Sequence, residues 1–486
     1  MTKSNTPVGR GALPTLISVF FFWGFVAASN DILIPVFKER LHLEQWQSQM
    51  ISFAFYVAYT IGSLIYYLIS RTSGGDLLNR IGYKNGIAGG LCISALGTLL
   101  FYPAAETASF PLMITGLFIV GLGFSLQQTA ANPLTIVIGD PKKGSQRLSL
   151  AGGINNVGTT IGPLLVSLAI FGSINSGQAS TMSIESIKIP YLILGAAFLV
   201  VAVIFKFSSI PDKLPSFTSD VDEHKSSEGK GISSIQKAGD RKSVFKYPQL
   251  VLGMIGIFVY VGVEVSTASN LPEYMRQHLN TSADKVAPYI SLFWASLMIG
   301  RWTSSVQIFN VRTGMKRILN LVMPYLAFGF FLLVNMLAGH SLEPFYMYSF
   351  VIIALIIGDI LSQGKPARQL LIFSIMGIIA LFTGMMTEGL VSVYAFISVG
   401  LFCSTLWPCI FTLAIAGLGK HTNEGSGLLI MMIMGGGVIS LLQGFLASDN
   451  YLGIQWSYIV GVACFLYMAY YAIRAKKVLA MQGIHY

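Results

Sequence analysis

Two acidic residues stand where an ionised group is expensive. Asp31 and Glu264 each interrupt a long apolar block, at 14–37 and 248–275. A carboxylate at the centre of a membrane helix costs about 2.5–3.5 kcal/mol on insertion scales, so retained ones face the interior and serve a pathway. Loss of water disfavours the charged form of a carboxyl, which suits it to taking up and releasing a proton. Its oxygens also suit a hard cation such as Na+. Asp31 shares a helix face with Gly24 and Ala27, small residues that fit a helix contact or a cavity better than lipid.

Uncharged polar residues recur at helical spacing in other blocks. Gly121, Ser125, Gln128 and Asn132 form one row, and Gly152, Asn155, Thr159 and Gly162 a second. Gly256, Tyr260, Glu264 and Thr267 form a third, and Gly436, Ser440 and Gln443 a shorter fourth. Amides and hydroxyls both donate and accept, so such rows fit the hydroxyls of a sugar. Tyr56, Tyr59, Tyr260, Trp294 and Trp407 offer aromatic faces for the C–H side of a sugar ring. The plainer reading of the rows is hydrogen bonding between helices, worth roughly 0.6–2 kcal/mol each. The plainer reading of the aromatics is core packing or lipid contact.

The elements that must position these residues are membrane helices. Of 486 residues, 53% are hydrophobic and 11% charged, against about a quarter charged in soluble domains. Apolar blocks of about 20 residues, the length that crosses a bilayer, recur along the chain. This excludes a soluble enzyme, and no nucleophile–base pair, metal spacing or cofactor motif is found. The four cysteines lie inside apolar blocks as packing residues, and the histidines fall in loops or near a terminus. The net charge of +10 sits in loops between apolar blocks, so it does not indicate nucleic acid.

Blocks bounded by charge, Gly and Pro predict helices at about 14–37, 47–70, 86–103, 110–138, 148–172 and 190–209. Eight more are predicted at 248–275, 285–309, 317–338, 344–363, 370–386, 389–418, 425–447 and 455–474, giving 14 transmembrane helices. Most of the 31 Lys and Arg fall in alternate loops, which places those loops and both termini in the cytoplasm. The expected organisation is an N-terminal six-helix bundle at 14–210, a cytoplasmic linker at 211–247 and a C-terminal bundle at 248–474. The linker is rich in charge and poor in large apolar residues, so it lacks the burial needed to order itself. A weak internal repeat links Thr129-Ala130-Ala131-Asn132-Pro133 and the Gly-rich helix after it to Trp407-Pro408 and the Gly435-Gly436-Gly437 helix. Related halves with a binding site between them near the midplane are a common plan for secondary transporters.

Several runs resemble the fucose–galactose–glucose:proton symporter family of the major facilitator superfamily. They are Asn30-Asp31-Ile32-Leu33-Ile34-Pro35, Gln128-Thr129-Ala130-Ala131-Asn132-Pro133, Tyr260-Val261-Gly262, Gly300-Arg301 and Gly435-Gly436-Gly437. The loop Gly75-Asp76-Leu77-Leu78-Asn79-Arg80-Ile81-Gly82-Tyr83-Lys84 is similar to the superfamily's loop motif, with Asn79 where Asp is usual. The resemblance implies an all-α membrane protein that imports a hexose by alternating access with proton symport. Gln128 stands where the fucose permease has a Glu, and Glu264 stands as in the glucose/galactose members. The resemblance therefore implies that Asp31 and Glu264 serve coupling. The resemblance and the polar and aromatic rows together point to Asn30, Gln128, Asn132, Asn155, Tyr260, Trp407 and Gln443 for substrate, and the loop motif to Gly75, Arg80, Gly82 and Lys84. The family usually has twelve helices, so the blocks within 317–363 read as an inserted pair with no chemistry of their own. Sodium coupling, an uncoupled facilitator or exporter, and a membrane nutrient sensor are the alternatives. The chain is expected to be a monomer in lipid in a bacterial inner membrane, with no cofactor and no metal.

Overall fold

The computed structural model describes residues 13–26, 45–72, 77–138, 143–171, 188–208, 241, 243–280, 283–309, 312–448 and 450–484. Asp31, Asn30 and Gly75 lie outside the described residues. The described residues form helices and no strand. In chain order the first are α1 (Leu13–Val26), α2 (Gln45–Thr72), α3 (Leu77–Ile81), α4 (Tyr83–Leu99), α5 (Phe101–Glu106), α6 (Phe110–Val137), α7 (Gly144–Phe171) and α8 (Lys188–Lys206). There follow α9 (Pro248–Leu279), α10 (Ala283–Ser305), α11 (Thr313–Leu337), α12 (Tyr348–Ser362), α13 (Pro366–Met386), α14 (Gly389–Cys403) and α15 (Leu406–Ile415). The chain closes with α16 (Thr422–Met431), α17 (Gly435–Leu446), α18 (Gly453–Ser457) and α19 (Ile459–Met481).

Among the described residues, 10 helical stretches are long and apolar enough to cross a membrane, and α1 and Tyr191–Lys206 are shorter apolar helices. The two long helices outside that set, α7 and α10, carry polar groups: Asn155, Asn156, Thr159 and Thr160 on α7, and Arg301 on α10. They pack along each other, so groups that lipid would not solvate face protein. The ends follow local chemistry. Pro248 and Pro366 open α9 and α13 at the first helical position, where a missing N–H costs nothing. Asn280 and Gln363 close α9 and α12 in the left-handed conformation.

Close backbone approach sets the packing. At Gly24 a Cβ would lie 1.9 Å from the Asn155 carbonyl oxygen, and at Gly158 one would lie 2.3 Å from that of Phe21, so α1 and α7 touch backbone to backbone. Gly435 plays the same part later, where a Cβ would fall 2.0 Å from the Phe258 carbonyl oxygen and α17 meets α9. The helices before the 209–240 stretch pack as α2 on α6, α4 on α6 and α4 on α8; those after it pack as α9 on α17 and α19, and α13 on α14 and α19. Helices α11 and α12 lie against α10 and α13 respectively.

The two sets meet through α7 with α10, and through α2 and α6 with α16. The stretch expected as a loop holds Arg80 on α3 and Lys84 on α4; there Tyr83 donates to Asn423 Oδ1, and Asn423 Nδ2 donates to Asn79 Oδ1 at 3.2 Å. Ser426 Oγ donates to the Thr129 carbonyl at 3.2 Å, and Gln146 Nε2 to the Gly364 carbonyl at 2.8 Å. Gly82, at φ 87°, makes the turn from α3 into α4, a conformation that favours glycine. Lys84 Nζ donates to the Ser208 carbonyl at 2.9 Å, within the first set. Arg80 is exposed at the end of α3.

Candidate functional site

Three residues named from sequence come together in the second set. Tyr260 and Glu264 are one turn apart on α9, and the tyrosine hydroxyl donates to the Glu264 carboxylate. Tyr260 is buried, Glu264 half-buried. Trp407, in the first turn of α15, places its ring 6.1 Å from that of Tyr260 and 5.9 Å from that of Phe411. The position of Trp407 follows from a break. The 389–418 block was expected as one helix, but the chain turns at Ser404 and Thr405 between α14 and α15. The turn frees the Ser404 carbonyl, which accepts from Arg301 Nε at 3.0 Å. Arg301 also lies within electrostatic reach of Glu264 and Tyr260.

The polar rows of the first set are largely engaged between helices. Gly121 abuts Ala58, Ser125 Oγ donates to the Tyr59 carbonyl at 3.2 Å, and Gln128 Nε2 donates to the Tyr59 hydroxyl at 2.8 Å. That row therefore faces α2. Asn132 is buried, and its Nδ2 has no hydrogen-bond partner among the described residues. A buried donor left unpaired costs about 1–3 kcal/mol, which marks it as a group still able to bind. The row on α7 divides: Gly152 faces Arg301, whereas Asn155 Nδ2 donates to the Phe20 carbonyl of α1 at 2.8 Å. Gln443 is fully buried on α17; its Nε2 reaches Ser457 Oγ at 3.4 Å and its Oε1 has no partner.

Three groups were not singled out for the site from sequence. Gln127, next to Gln128, is fully buried; it accepts from Trp23 Nε1 at 2.6 Å and donates to Ser94 Oγ at 3.0 Å. Arg301 entered only as part of the Gly300-Arg301 run, with no role assigned. Its signal was a lone charge inside an apolar block, the same signal that marked Asp31. The third is Asp359 on α12, within the stretch expected to hold no chemistry. It is 7% exposed and accepts from Gln369 Nε2 at 3.4 Å, while Gln369 Oε1 accepts from Cys409 Sγ at 3.6 Å. All four cysteines are free thiols. Among the described residues, no cluster of His, Cys, Asp and Glu is placed to hold a metal ion.

The Glu264 carboxylate is thus capped by a tyrosine and adjoined by an aromatic pair, and α17, which carries Gln443, packs against the same helix. The sequence model of the Major Facilitator Superfamily matches residues 15–364. The chain belongs to that superfamily. A glucose/galactose transporter of Brucella abortus is 32% identical over 479 residues, spanning 98% of this chain and 97% of that protein. The L-fucose-proton symporter of Escherichia coli is 27% identical over 465 residues, spanning 93% of this chain and 90% of that protein. A crystal structure of the Escherichia coli fucose:proton symporter matches with a TM-score of 0.70 at 24% identity, over 95% of this chain and 98% of that one. The major facilitator fold expected from the motifs is thus the fold of this multi-pass chain, and its relatives are transporters rather than enzymes.

Proposed function

We propose that this superfamily member imports a hexose of the glucose/galactose or fucose class by alternating access, driven by proton symport. The observation that carries the reading is Glu264, an ionisable group inside a membrane helix, held by Tyr260 and adjoining the Tyr260–Trp407 aromatic pair. Asp31 is proposed as the second titrating carboxyl. Tyr260 and Trp407 supply faces for the ring, and Gln128, Asn132, Asn155, Gln443 and Asn30 are the amides proposed to meet hydroxyls. The names of the relatives agree with sugar as the cargo. The name of the fucose symporter agrees with the proton as driver.

The proposed organisation is fourteen spans in a bacterial inner membrane with both termini cytoplasmic. A first bundle at 14–210 and a second at 248–474 are joined by a linker at 211–247. Helices α11 and α12 are an added pair, supported by the way the packing of α13 on α14 and α19 parallels that of α4 on α6 and α8.

The test is uptake of radiolabelled hexoses into vesicles carrying the purified protein. With an inward proton gradient at fixed sodium, at least one hexose is expected to accumulate above its external concentration. Dissipating the gradient should abolish this. Accumulation driven by sodium at fixed pH would reassign the ion, and equilibration indifferent to both gradients would make the protein a facilitator. Asp31→Asn is expected to lose uphill accumulation while keeping sugar exchange across the membrane; undiminished accumulation removes Asp31 from the coupling role. Trp407→Ala is expected to raise the concentration for half-maximal uptake about tenfold, corresponding to about 1.4 kcal/mol, the scale of one lost aromatic contact. Trp407→Phe should recover most of it.

A further inference from the structure

We propose that Arg301 transmits the charge of Glu264 to the contact between α7 and α10. The inference rests on the proton-coupled reading above and assigns a positioning role that the reading leaves open. Arg301 reaches across the two helix sets. Its Nη1 donates to Asn156 Oδ1 at 2.8 Å and to the Gly152 carbonyl at 3.3 Å, both on α7. Asn156 Nδ2 donates back to the Trp294 carbonyl of α10 at 3.2 Å. The guanidinium and the asparagine amide therefore close α7 on α10 reciprocally. The sequence of α7 makes room for this. A Cβ at Gly152 would lie 3.1 Å from Arg301 Nη1, and one at Gly153 would lie 2.6 Å from the Trp302 ring.

Every acceptor in this clasp is neutral: two backbone carbonyls and one amide. Contacts place Glu264 beside the same guanidinium: Tyr260 donates to Glu264, its ring lies 6.1 Å from that of Trp407, and the carbonyl of Ser404, three residues before Trp407, accepts from Arg301 Nε at 3.0 Å. The other titratable groups in that field are Tyr260 on α9 and Cys403 on α14, the latter beside Cys464 of α19. The facing side of α7 presents Gly152, Gly153 and Asn156. Hydrogen bonds between a guanidinium and a carboxylate are roughly twice as strong as neutral ones and are often forked. A protonated Glu264 offers no such competitor, and the clasp on α7 holds. An ionised Glu264 draws the guanidinium toward α9 and loosens α7 from α10. The proton enters the carboxylate from water on one side and leaves to water on the other, so no further reactant is needed.

The experiment reads geometry, not transport. Spin labels are placed at Thr72 and Arg368, exposed positions on the two helix sets, in a Cys92→Ser background. The distance distribution is measured by pulsed electron resonance in sugar-free nanodiscs from acid to alkaline pH. The unaltered clasp should give a distribution that shifts as pH rises. Glu264→Gln should hold the acid distribution throughout, and Arg301→Gln should lose the pH dependence although Glu264 is intact. Asn156→Ala, which removes both the side-chain acceptor of Arg301 and the donor to the Trp294 carbonyl, should show the alkaline distribution already at acid pH; it decides the matter if Arg301→Gln does not purify as a folded species. A wild-type shift persisting in Arg301→Gln or in Asn156→Ala overturns the proposal, as does a wild-type protein that shows no shift. Proton-driven uptake measured alongside separates the two readings: uptake without the shift rejects only the role of Arg301, and absence of proton-driven uptake rejects the proposed function.

Discussion

Glu264→Gln is expected to hold hexose at no more than its external concentration under a proton gradient that lets the wild-type protein concentrate it. One pH unit stores about 1.4 kcal/mol per proton, which corresponds to a tenfold concentration ratio. A symporter moving one proton per sugar would therefore reach about tenfold accumulation for each unit of gradient, and the variant would stay near parity. Glutamine is the informative replacement because its carbonyl can still accept from Tyr260 while it carries no exchangeable proton. Sugar binding and exchange of labelled for unlabelled hexose should survive. Initial uptake and steady-state ratio in the same vesicles, with and without the gradient, check this directly. Accumulation at the wild-type ratio would remove Glu264 from the coupling role.

The second large effect is structural. Gly24→Ala places a methyl group 1.9 Å from the Asn155 carbonyl oxygen, whereas carbon and oxygen in close contact sit about 3.3–3.6 Å apart. The clash is with backbone, so α1 must retreat by more than an ångström. Overpacking of this kind costs about 1–3 kcal/mol. The retreat also strains the bond from Asn155 Nδ2 to the Phe20 carbonyl, worth up to about 2 kcal/mol between membrane helices. A lower unfolding temperature in detergent and at least a tenfold fall in uptake are expected. Gly89→Ala and Gly444→Ala are the controls, since a Cβ at either meets nothing within 4 Å. A thermal shift equal to theirs would show that α1 does not rest on α7 in this way.

The helical character was legible because lipid imposes a coarse rule, a run of apolar residues bounded by charge; among the described residues, 10 stretches reach the length and hydropathy of a span, against the 14 expected. The breaks were legible only in part. Ser404 and Thr405 interrupt the apolar run, and Pro408 has no N–H to offer the Ser404 carbonyl four residues earlier. That carbonyl accepts from Arg301 instead. The short 3-10 turn Met432–Met434 lies in sequence as apolar as its surroundings. The site was legible in part for the same reason. Glu264 and Tyr260 share a helix, so one row found both, and Trp407 was found as an aromatic near a proline. Periodicity could not say which neighbour a row faces. Gln128 faces the Tyr59 hydroxyl, and Asn155 faces α1. Arg301 was placed within a span and in the Gly300-Arg301 run but given no role, because sequence does not show that its partners lie on another helix.

The buried acid on α12 has a consequence for how the chain is made. Asp359 leaves the ribosome 10 residues ahead of Gln369, whose amide receives it. Inserted alone, α12 would bring a bare carboxyl in its last turn to the edge of the lipid, at a cost below the roughly 2.5–3.5 kcal/mol of a helix centre. Inserted together with α13 as a hairpin, across the left-handed turn at Gln363 and Gly364, it arrives with its donor already opposite. The biosynthetic unit at this point of the chain is therefore the pair of helices, and a stall between them would strand the first.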